Sequence, residues 1–239
     1  MTVWSDAIET LRPRSRAPDD SLPPLMLLLT VVTGLVDAAS YLNLGHVFVA
    51  NMTGNVVFLG FAIAGAKGLS ASASLVALGS FVAGSAVGGR LGSRLAEQRL
   101  RLLRSALALQ LVAVLAAVVV AALAGDQVDR ASRLVLTALL ALAMGLQNAT
   151  ARRLAVPELT TTVLTMTLTG IGADSVPAGG PGSKLGRRSL AIAAMLVGAL
   201  TGALLALRVD TAAPLAAAAG VLAVTALTAH RLSSGRAGY

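Results

Sequence analysis

The sequence contains no cysteine, and its only two histidines, His46 and His230, lie far apart. The missing thiols exclude disulfide bonds, thiolate metal sites and cysteine nucleophiles. With so few ligands we predict no metal site and no cofactor. Aromatic residues make up only 3% of the chain. Because proteins that bind single-stranded nucleic acid stack its bases on aromatic rings, we expect no nucleic-acid partner, despite a formal net charge of +8.

The familiar catalytic motifs are also missing. The chain has no Gly-x-Ser-x-Gly elbow, no His-Glu-x-x-His zinc motif, no phosphate-binding loop and no dinucleotide-binding glycine motif after a strand. Serine, aspartate and histidine occur, but no local pattern places a nucleophile beside a base. We therefore predict that the protein is not an enzyme.

Charged residues are scarce at 13%, whereas hydrophobic residues reach 56% and the mean hydropathy is +0.79. Soluble domains carry about 25% charged residues. Several windows of this chain exceed the ~18 apolar residues that mark a membrane helix. The sequence therefore predicts an integral membrane protein whose first partner is the lipid bilayer, and whose basic residues lie in loops at the cytoplasmic face.

The chain divides into two polar tails and a membrane domain. Residues 1–23 are polar and rich in proline, and we expect a short, mobile cytoplasmic tail. The membrane domain is predicted at 24–230 and a second cytoplasmic tail at 231–239. Two loops are predicted at 92–104 and 175–188. The apolar segments are 24–45, 46–66, 71–90, 105–124, 134–151, 159–173, 189–207 and 211–229.

The distribution of lysine and arginine indicates which segments cross, because these residues concentrate in cytoplasmic loops. If all eight segments cross, 11 basic residues lie inside and 8 outside. If 46–66 and 159–173 each enter and leave on one side, 15 lie inside and 4 outside. We therefore predict an all-α polytopic bundle of six spanning helices plus two re-entrant or broken segments, with both termini cytoplasmic.

Similar blocks recur in the two halves, which predicts an internal repeat. The matching blocks are "GLVDAA" (34–39) with "GLQNAT" (145–150), "MTGN" (52–55) with "LTGI" (168–171), and "GSAVG" (84–88) with "GALTG" (198–202). Repeat one would cover about 24–125 and repeat two about 133–230. Three crossings per repeat insert the second repeat upside down, a plan found in transporters with binding sites at the midplane.

Polar side chains inside the apolar segments form the candidate site. Asp37 is the only acid well inside a segment, and an ionised carboxylate there costs at least ~2.5–3.5 kcal/mol, so it must be paired, protonated or wet. Thr161, Thr165 and Thr169 are spaced by four and predict one hydroxyl-bearing helix face. The candidate substrate-binding residues are Asp37, Asn51, Thr53 and Asn55 from the first half, and Gln147, Asn148, Thr161, Thr165 and Thr169 from the second.

Structural interpretations stand beside these functional ones. In the structural alternatives, Asp37 is bonded to a neighbouring helix, and Gln147 and Asn148 form hydrogen bonds between helices. Arg152 and Arg153 either mark the cytoplasmic end of a helix, or neutralise an anionic solute or pair with an acid at position 158.

Eight glycines are predicted to serve the structure. Gly54 loosens the helix in the first irregular segment. Small residues four apart let helices approach closely, so we expect packing within the chain, with an oligomer through the same faces as the alternative. The predicted structural glycines are Gly34, Gly54, Gly84, Gly88, Gly145, Gly170, Gly198 and Gly202.

The membrane domain resembles the YoaK family of bacterial membrane proteins. The resemblance covers about 24–230 and rests on two stretches in order, "TGLVDAASYLNLGHVFVANMTGNVVFLG" and "MGLQNATARRLAVPELTTTVLTMTLTG". It implies a multi-pass protein of the bacterial inner membrane. The family is a domain of unknown function, so the resemblance implies no substrate and no residue roles.

The leading functional hypothesis is a transporter or channel for a small solute or ion, with a polar midplane site between inverted repeats and Asp37 coupling transport to protons. The alternative is a non-transporting membrane scaffold or sensor, whose polar residues pair with one another in a dry core. The surroundings of Asn51, Thr53 and Asn55, wet or dry, distinguish the two.

Overall fold

The computed structural model describes residues 3–11, 21–125, 128–180 and 182–234, and this part of the chain contains helices but no strand. Six helices are long and apolar enough to cross a membrane, namely α2, α4, α5, α6, α8 and α9. The predicted all-α membrane bundle of six spanning helices is therefore confirmed. The helices of the described part are α1 (Val3–Leu11), α2 (Leu22–Asn43), α3 (Met52–Ile63), α4 (Ala71–Arg94), α5 (Arg99–Ala124), α6 (Arg130–Leu154), α7 (Leu164–Ala173), α8 (Leu185–Arg208) and α9 (Ala212–Ser234).

Each spanning helix extends beyond at least one end of the apolar segment that predicts it. α4 ends at Arg94 and α5 begins at Arg99, so the predicted loop 92–104 is a short turn between two helices. Arginine is a good helix former, and its long side chain carries the charge toward water from a helix end near the interface. Helix propensity therefore continues α4 and α5 past the point where hydropathy falls.

The predicted tails are only partly described, because residues 12–20 and 235–239 lie outside the described part. Where we expect a mobile tail, Val3–Leu11 forms helix α1, which packs against the start of α8. The Asp6 carboxylate accepts the backbone N–H of Arg187 at 3.0 Å, and Arg187 donates its Nε to the Thr10 hydroxyl at 3.2 Å. Docking on α8 thus orders residues that the sequence predicts to be mobile.

The two short helices α3 and α7 follow backbone that folds back on the preceding spanning helix. α3 has 12 residues and α7 has 10, so they are about 18 and 15 Å long, too short for a hydrocarbon core of about 30 Å. Before α3 the backbone is bonded to Asp37 of α2, and before α7 the Thr162 hydroxyl is bonded to Asn148 of α6. Both segments are therefore broken rather than continuous spanning helices, which is compatible with the predicted re-entrant or broken segments, and we call them the re-entrant segments.

α2 and α6 are the most buried spanning helices and lie at the centre of the bundle. α2 packs against α8 and α9, α6 packs against α4 and α5, and α5 packs against α9. If α2 is compared with α6, α4 with α8 and α5 with α9, each of these contacts has a counterpart in the other half. The helix packing is therefore compatible with the predicted repeat.

The eight predicted structural glycines all lie against other parts of the chain. A methyl group at Gly84 would overlap the carbonyl of Leu142, and one at Gly198 would overlap the carbonyl of Val31. These two crossings, α4 on α6 and α8 on α2, correspond at the offsets of the sequence repeat. The remaining six meet backbone or side chains at their own crossings or re-entrant segments, namely Gly34, Gly54, Gly88, Gly145, Gly170 and Gly202.

Candidate functional site

A cavity of about 880 Å³ lies between α2, α3 and α8 and extends to α4, α6 and the start of α7. We call it the aromatic cavity. It collects residues from both halves of the chain at the depth where the two short helices begin. Its polar and aromatic lining residues are Asp37, Asn51, Thr53, Asn148, Thr162, Thr165, Tyr41, Phe48, Phe58 and Phe81.

A second cavity of about 860 Å³ lies between α4, the end of α6 and the segment before α7. We call it the arginine cavity, because Arg152 and Arg153 line it. Phe81, Asn148 and Val163 line both cavities. The two spaces are therefore neighbours that meet at these three residues.

Equivalent positions of the two halves line the two cavities, but with different side chains. At the offsets of the predicted repeat, Asn148 would take the place of Asp37, and Arg152 the place of Tyr41. The frame is therefore similar in the two halves, whereas the chemistry differs. One cavity carries an acid and aromatic rings, and the other carries two basic side chains.

Asp37 ties the re-entrant segment to α2 and also lines the aromatic cavity. Its Oδ1 accepts the backbone N–H groups of Val49 at 3.0 Å and Ala50 at 2.8 Å. Its Oδ2 has no hydrogen-bond partner among the described residues. One oxygen of the Asp37 carboxylate thus has a structural role, as the alternative interpretation predicts. The other oxygen is available to a ligand.

Asn51 and Asn55 satisfy the backbone around the break before α3. Asn51 is the N-cap of α3 and accepts the N–H of Gly54 at 3.3 Å. Asn55 is fully buried, accepts the N–H of Phe48 at 2.9 Å and donates to the carbonyl of Phe48 at 2.6 Å. Of the candidate residues in this segment, Asn51 and Thr53 line the aromatic cavity, whereas Asn55 does not.

Gln147 belongs to a buried network and lines neither cavity. Its Nε2 donates to the hydroxyls of Thr33 at 2.9 Å and Thr161 at 3.2 Å, and its Oε1 accepts from Gln110 at 2.6 Å. Thr161 is buried and adopts a φ of 64°, a conformation that β-branched residues rarely take. Both candidates therefore hold the segment before α7 against α2 and α6.

The remaining second-half candidates separate at the start of α7. Asn148 accepts the hydroxyl of Thr162 at 2.6 Å and lines both cavities, and Thr165 lines the aromatic cavity. Thr169 is exposed and lines neither. The expected three-threonine helix face is wrong, because α7 begins at Leu164 and Thr161 lies before it.

The starts of the short helices also correct the proposed block match. α3 begins at Met52 and α7 at Leu164, so if the two halves are matched at these starts, Thr53 corresponds to Thr165 rather than to Thr169. The bonds from Asp37 to Ala50 and from Asn148 to Thr162 follow the same register. The sequence blocks are too short and too rich in glycine and threonine to distinguish these registers.

An ion-pair cluster, which the sequence interpretation missed, closes the second re-entrant segment. Arg188 of α8 is 4% exposed and bonds Glu158 through Nε at 2.7 Å and Asp174 through Nη2 at 2.5 Å. Lys184 lies 3.7 Å from the other Glu158 oxygen. Glu158 therefore pairs with basic residues of α8 and its approach, and not with the arginines at the end of α6.

The comparisons with known proteins agree with this architecture. A family described as a protein of unknown function (DUF1275) matches residues 25–228. The UPF0700 transmembrane protein YoaK of Bacillus subtilis (strain 168) is 36% identical over 154 residues, which make up 63% of this chain and 65% of that protein. The match thus spans slightly less than two thirds of this relative's length. No solved structure matches the chain.

Proposed function

The chain belongs to the YoaK family of membrane proteins, described as of unknown function (DUF1275), and from this premise we propose that it is a transporter or channel for a small solute. The observation that carries the proposal is the meeting of the two cavities at Phe81, Asn148 and Val163. Solute sites at the meeting of two halves, beside discontinuous helices, are typical of transporters. Non-helical backbone at membrane depth is also tolerated where it lines a wet cavity.

In this proposal the halves are inverted repeats. The corresponding helix contacts and the paired glycine crossings support this arrangement. The aromatic cavity then lies beside α2, α3 and α8, and the arginine cavity lies beside α6, α4 and the segment before α7. Inversion makes these two cavities open toward opposite sides of the membrane. Phe81, Asn148 and Val163 form the barrier between them, and a solute crosses when this barrier opens.

The proposed orientation places the protein in a bacterial inner membrane with both termini cytoplasmic. The arginine cavity then opens toward the cytoplasm, since Arg152 and Arg153 at the end of α6 follow the cytoplasmic preference of basic residues. The aromatic cavity opens toward the opposite side. In this orientation the remaining membrane-facing surface of the protein contacts lipid.

Single cysteines test whether the pathway is wet. The natural chain has no cysteine, so each new thiol reports alone. We expect a small water-soluble thiol reagent to label Thr53→Cys and Thr162→Cys, whose positions line the aromatic cavity. A matched control lies on the same helix: Val56 is exposed but outside the cavity. Thiolates form in water and not in hydrocarbon, so Val56→Cys should stay unlabelled.

Flux measurements test transport itself. The purified protein is reconstituted into vesicles, and uptake is screened over a panel of small cations, anions and neutral solutes. We expect uptake of one class, with block after labelling of Thr53→Cys. Labelling at Val56 equal to that at Thr53, or a labelled cavity with no uptake of any solute, would contradict the proposal and favour the scaffold or sensor.

A further inference from the structure

The aromatic cavity concentrates a scarce residue type. The chain has seven tryptophan, tyrosine and phenylalanine residues, and four of them line this cavity. Tyr41 and Phe48 stack with ring centroids 5.0 Å apart, and Phe48 and Phe58 stack at 5.8 Å. Aromatic faces carry negative electrostatic potential and attract a cation within about 6 Å of the ring centre. The lining therefore offers a site for a positive charge.

The fixed charge of the cavity points the same way. Asp37 lines the cavity with Oδ2 free of protein partners in the described structure, and no described lysine or arginine lines the same space. An acid at this depth is stable only if it is paired, neutral or wet. A cationic ligand would supply the missing pair and would meet the rings at the same time.

The arginine cavity provides the contrast within one molecule. There Asn148 stands at the position equivalent to Asp37, and Arg152 stands at the position equivalent to Tyr41. Of the aromatic residues in the described chain, it is lined only by Phe81, which it shares with the other cavity. A cation is therefore favoured in the aromatic cavity and disfavoured in the arginine cavity.

We propose that the aromatic cavity binds an organic cation, an ammonium group carrying apolar substituents, between Asp37 and the rings of Tyr41, Phe48 and Phe58. The volume of about 880 Å³ lies within the range of about 300–1,000 Å³ usual for small-molecule pockets. This inference rests on the proposed function, because it names the substrate class of the same pathway. Binding and transport are nevertheless measured separately.

Three probes on the unmodified, purified protein test the charge preference. Benzyltrimethylammonium is the cation, neopentylbenzene is its neutral carbon analogue of the same shape, and benzenesulfonate is an anion. We expect the cation to bind at least tenfold more tightly than the neutral analogue and the anion not to bind. Equal affinity for the cation and the neutral analogue would overturn the proposal, whatever any variant does.

Paired substitutions locate the site. In Asp37→Asn the remaining oxygen can still accept the N–H groups of Val49 and Ala50, so the charge is removed while the anchor is kept. We expect this change to weaken cation binding at least tenfold, and Asp129→Asn, an exposed acid outside both cavities, to leave it unchanged. Cation binding that is unaffected by Asp37→Asn would overturn the proposal.

A second pair tests the rings on a single helix. Phe58 lines the cavity and Phe61 does not, although both lie on α3. A cation–ring contact corresponds to about a 2- to 30-fold change in affinity, so Phe58→Leu should weaken binding within that range and Phe61→Leu should not. Equal effects at the two positions would refute the ring contact.

The outcomes separate this inference from the proposed function. Cation binding that depends on Asp37, together with unlabelled Thr53→Cys and no uptake, would leave a cation-binding protein that does not transport. Uptake of a neutral or anionic solute, with no cation preference in the three-probe assay, would support the transporter proposal and contradict the proposal of a cationic ligand.

Discussion

The side chain of Asn55 supplies the two hydrogen bonds that the backbone of Phe48 would otherwise lack at the break before α3. Replacement by leucine leaves a buried N–H and a buried carbonyl without partners. Each orphaned group costs about 1–3 kcal/mol, so for the two groups we expect Asn55→Leu to lower the free energy of unfolding by about 2–6 kcal/mol. Denaturant unfolding in detergent micelles measures this loss.

The control for this change is the neighbouring Thr53, which is exposed. Thr53→Val keeps the shape of the side chain and should change the unfolding free energy by less than about 0.5 kcal/mol. If Asn55→Leu were as mild as Thr53→Val, the first re-entrant segment would not depend on the asparagine.

Sequence reasoning located the candidate region but could not sort its side chains. Polar residues in apolar segments are costly, and this rule found Asp37, Thr53 and Asn148, which line the cavities. Asn55 lies in the first turn of α3, and Gln147 lies in α6, one of the most buried spanning helices. Polarity alone does not tell which side chain faces a cavity there, so the prediction includes both residues although both are buried in hydrogen bonds. The prediction does not include the aromatic residues of the cavity, because in a membrane sequence an aromatic residue is not distinguished from other apolar residues until its position in the fold is known.

At the scale of elements, the glycine crossings set how closely helices pack. Gly84 and Gly79 both lie on α4, but a methyl group meets the carbonyl of Leu142 at the first and open space at the second. We expect Gly84→Ala to force α4 away from α6 and to lower the unfolding free energy by about 1–3 kcal/mol, as overpacking does. Gly79→Ala should be neutral or slightly stabilising, because alanine favours helix.

Thermal unfolding of the two alanine variants in the same detergent compares them directly. The corresponding substitution in the second half is Gly198→Ala, whose methyl group would overlap the carbonyl of Val31. A similar loss at Gly84 and Gly198 is expected if the two crossings are equivalent. A large loss at Gly79 instead would contradict this explanation, because neither helix propensity nor a contact within the described chain predicts a loss there.

Helix α1 presents an apolar face that no other described helix covers. Trp4, Ile8 and Leu11 are exposed, whereas Asp6 and Thr10 bond Arg187. Short helices with one apolar and one polar face lie in the membrane interface. We therefore expect Trp4 to be buried among lipid headgroups, and not in water.

Trp4 is the only tryptophan of the chain, so its fluorescence reports α1 alone. In lipid vesicles we expect blue-shifted emission that is quenched by lipids labelled near the headgroup and much less by lipids labelled near the chain ends. Emission typical of water, with strong quenching by iodide, would place α1 away from the bilayer. Trp4→Phe measures the background.

The elements show which signals sequence reasoning can use. In a membrane protein an apolar run of about 20 residues indicates a spanning helix, so the sequence predicts all six of them. Isolated helices below about 12–15 residues are marginal and depend on docking. α1 is such a helix, and its bond from Asp6 to Arg187 joins positions 181 residues apart, which no local pattern reveals.

At the scale of the whole molecule, a similar frame carries unlike linings. α2 with α8 and α6 with α4 cross in similar ways, yet at the offsets of the predicted repeat Asp37 is matched by Asn148 and Tyr41 by Arg152. If the halves are inverted, identical linings would make the two sides of the membrane equivalent. In the second half an amide stands in place of the acid, and an arginine stands in place of the aromatic ring. The two ends of the proposed pathway therefore offer a solute different chemistry, although the helices around them are arranged alike.

The position of α4 provides the decisive test of this arrangement. Its 24 residues are about 36 Å long, enough to cross, with Lys67 in the connection before it and Glu97 in the turn after it. Both side chains are exposed and line neither cavity. Because arginines cluster around Glu97, the turn should be cytoplasmic. A membrane-impermeant thiol reagent should therefore label Lys67→Cys in intact cells and Glu97→Cys only after permeabilisation.

Each other labelling pattern has a definite meaning. The reverse pattern would keep α4 as a crossing but invert the orientation, so that the arginine cavity would open away from the cytoplasm. Labelling of both cysteines from one side would mean that α4 does not cross. The first half would then contain an even number of crossings, the two halves would insert in parallel, and two cavities opening to opposite sides could not be produced by the repeat.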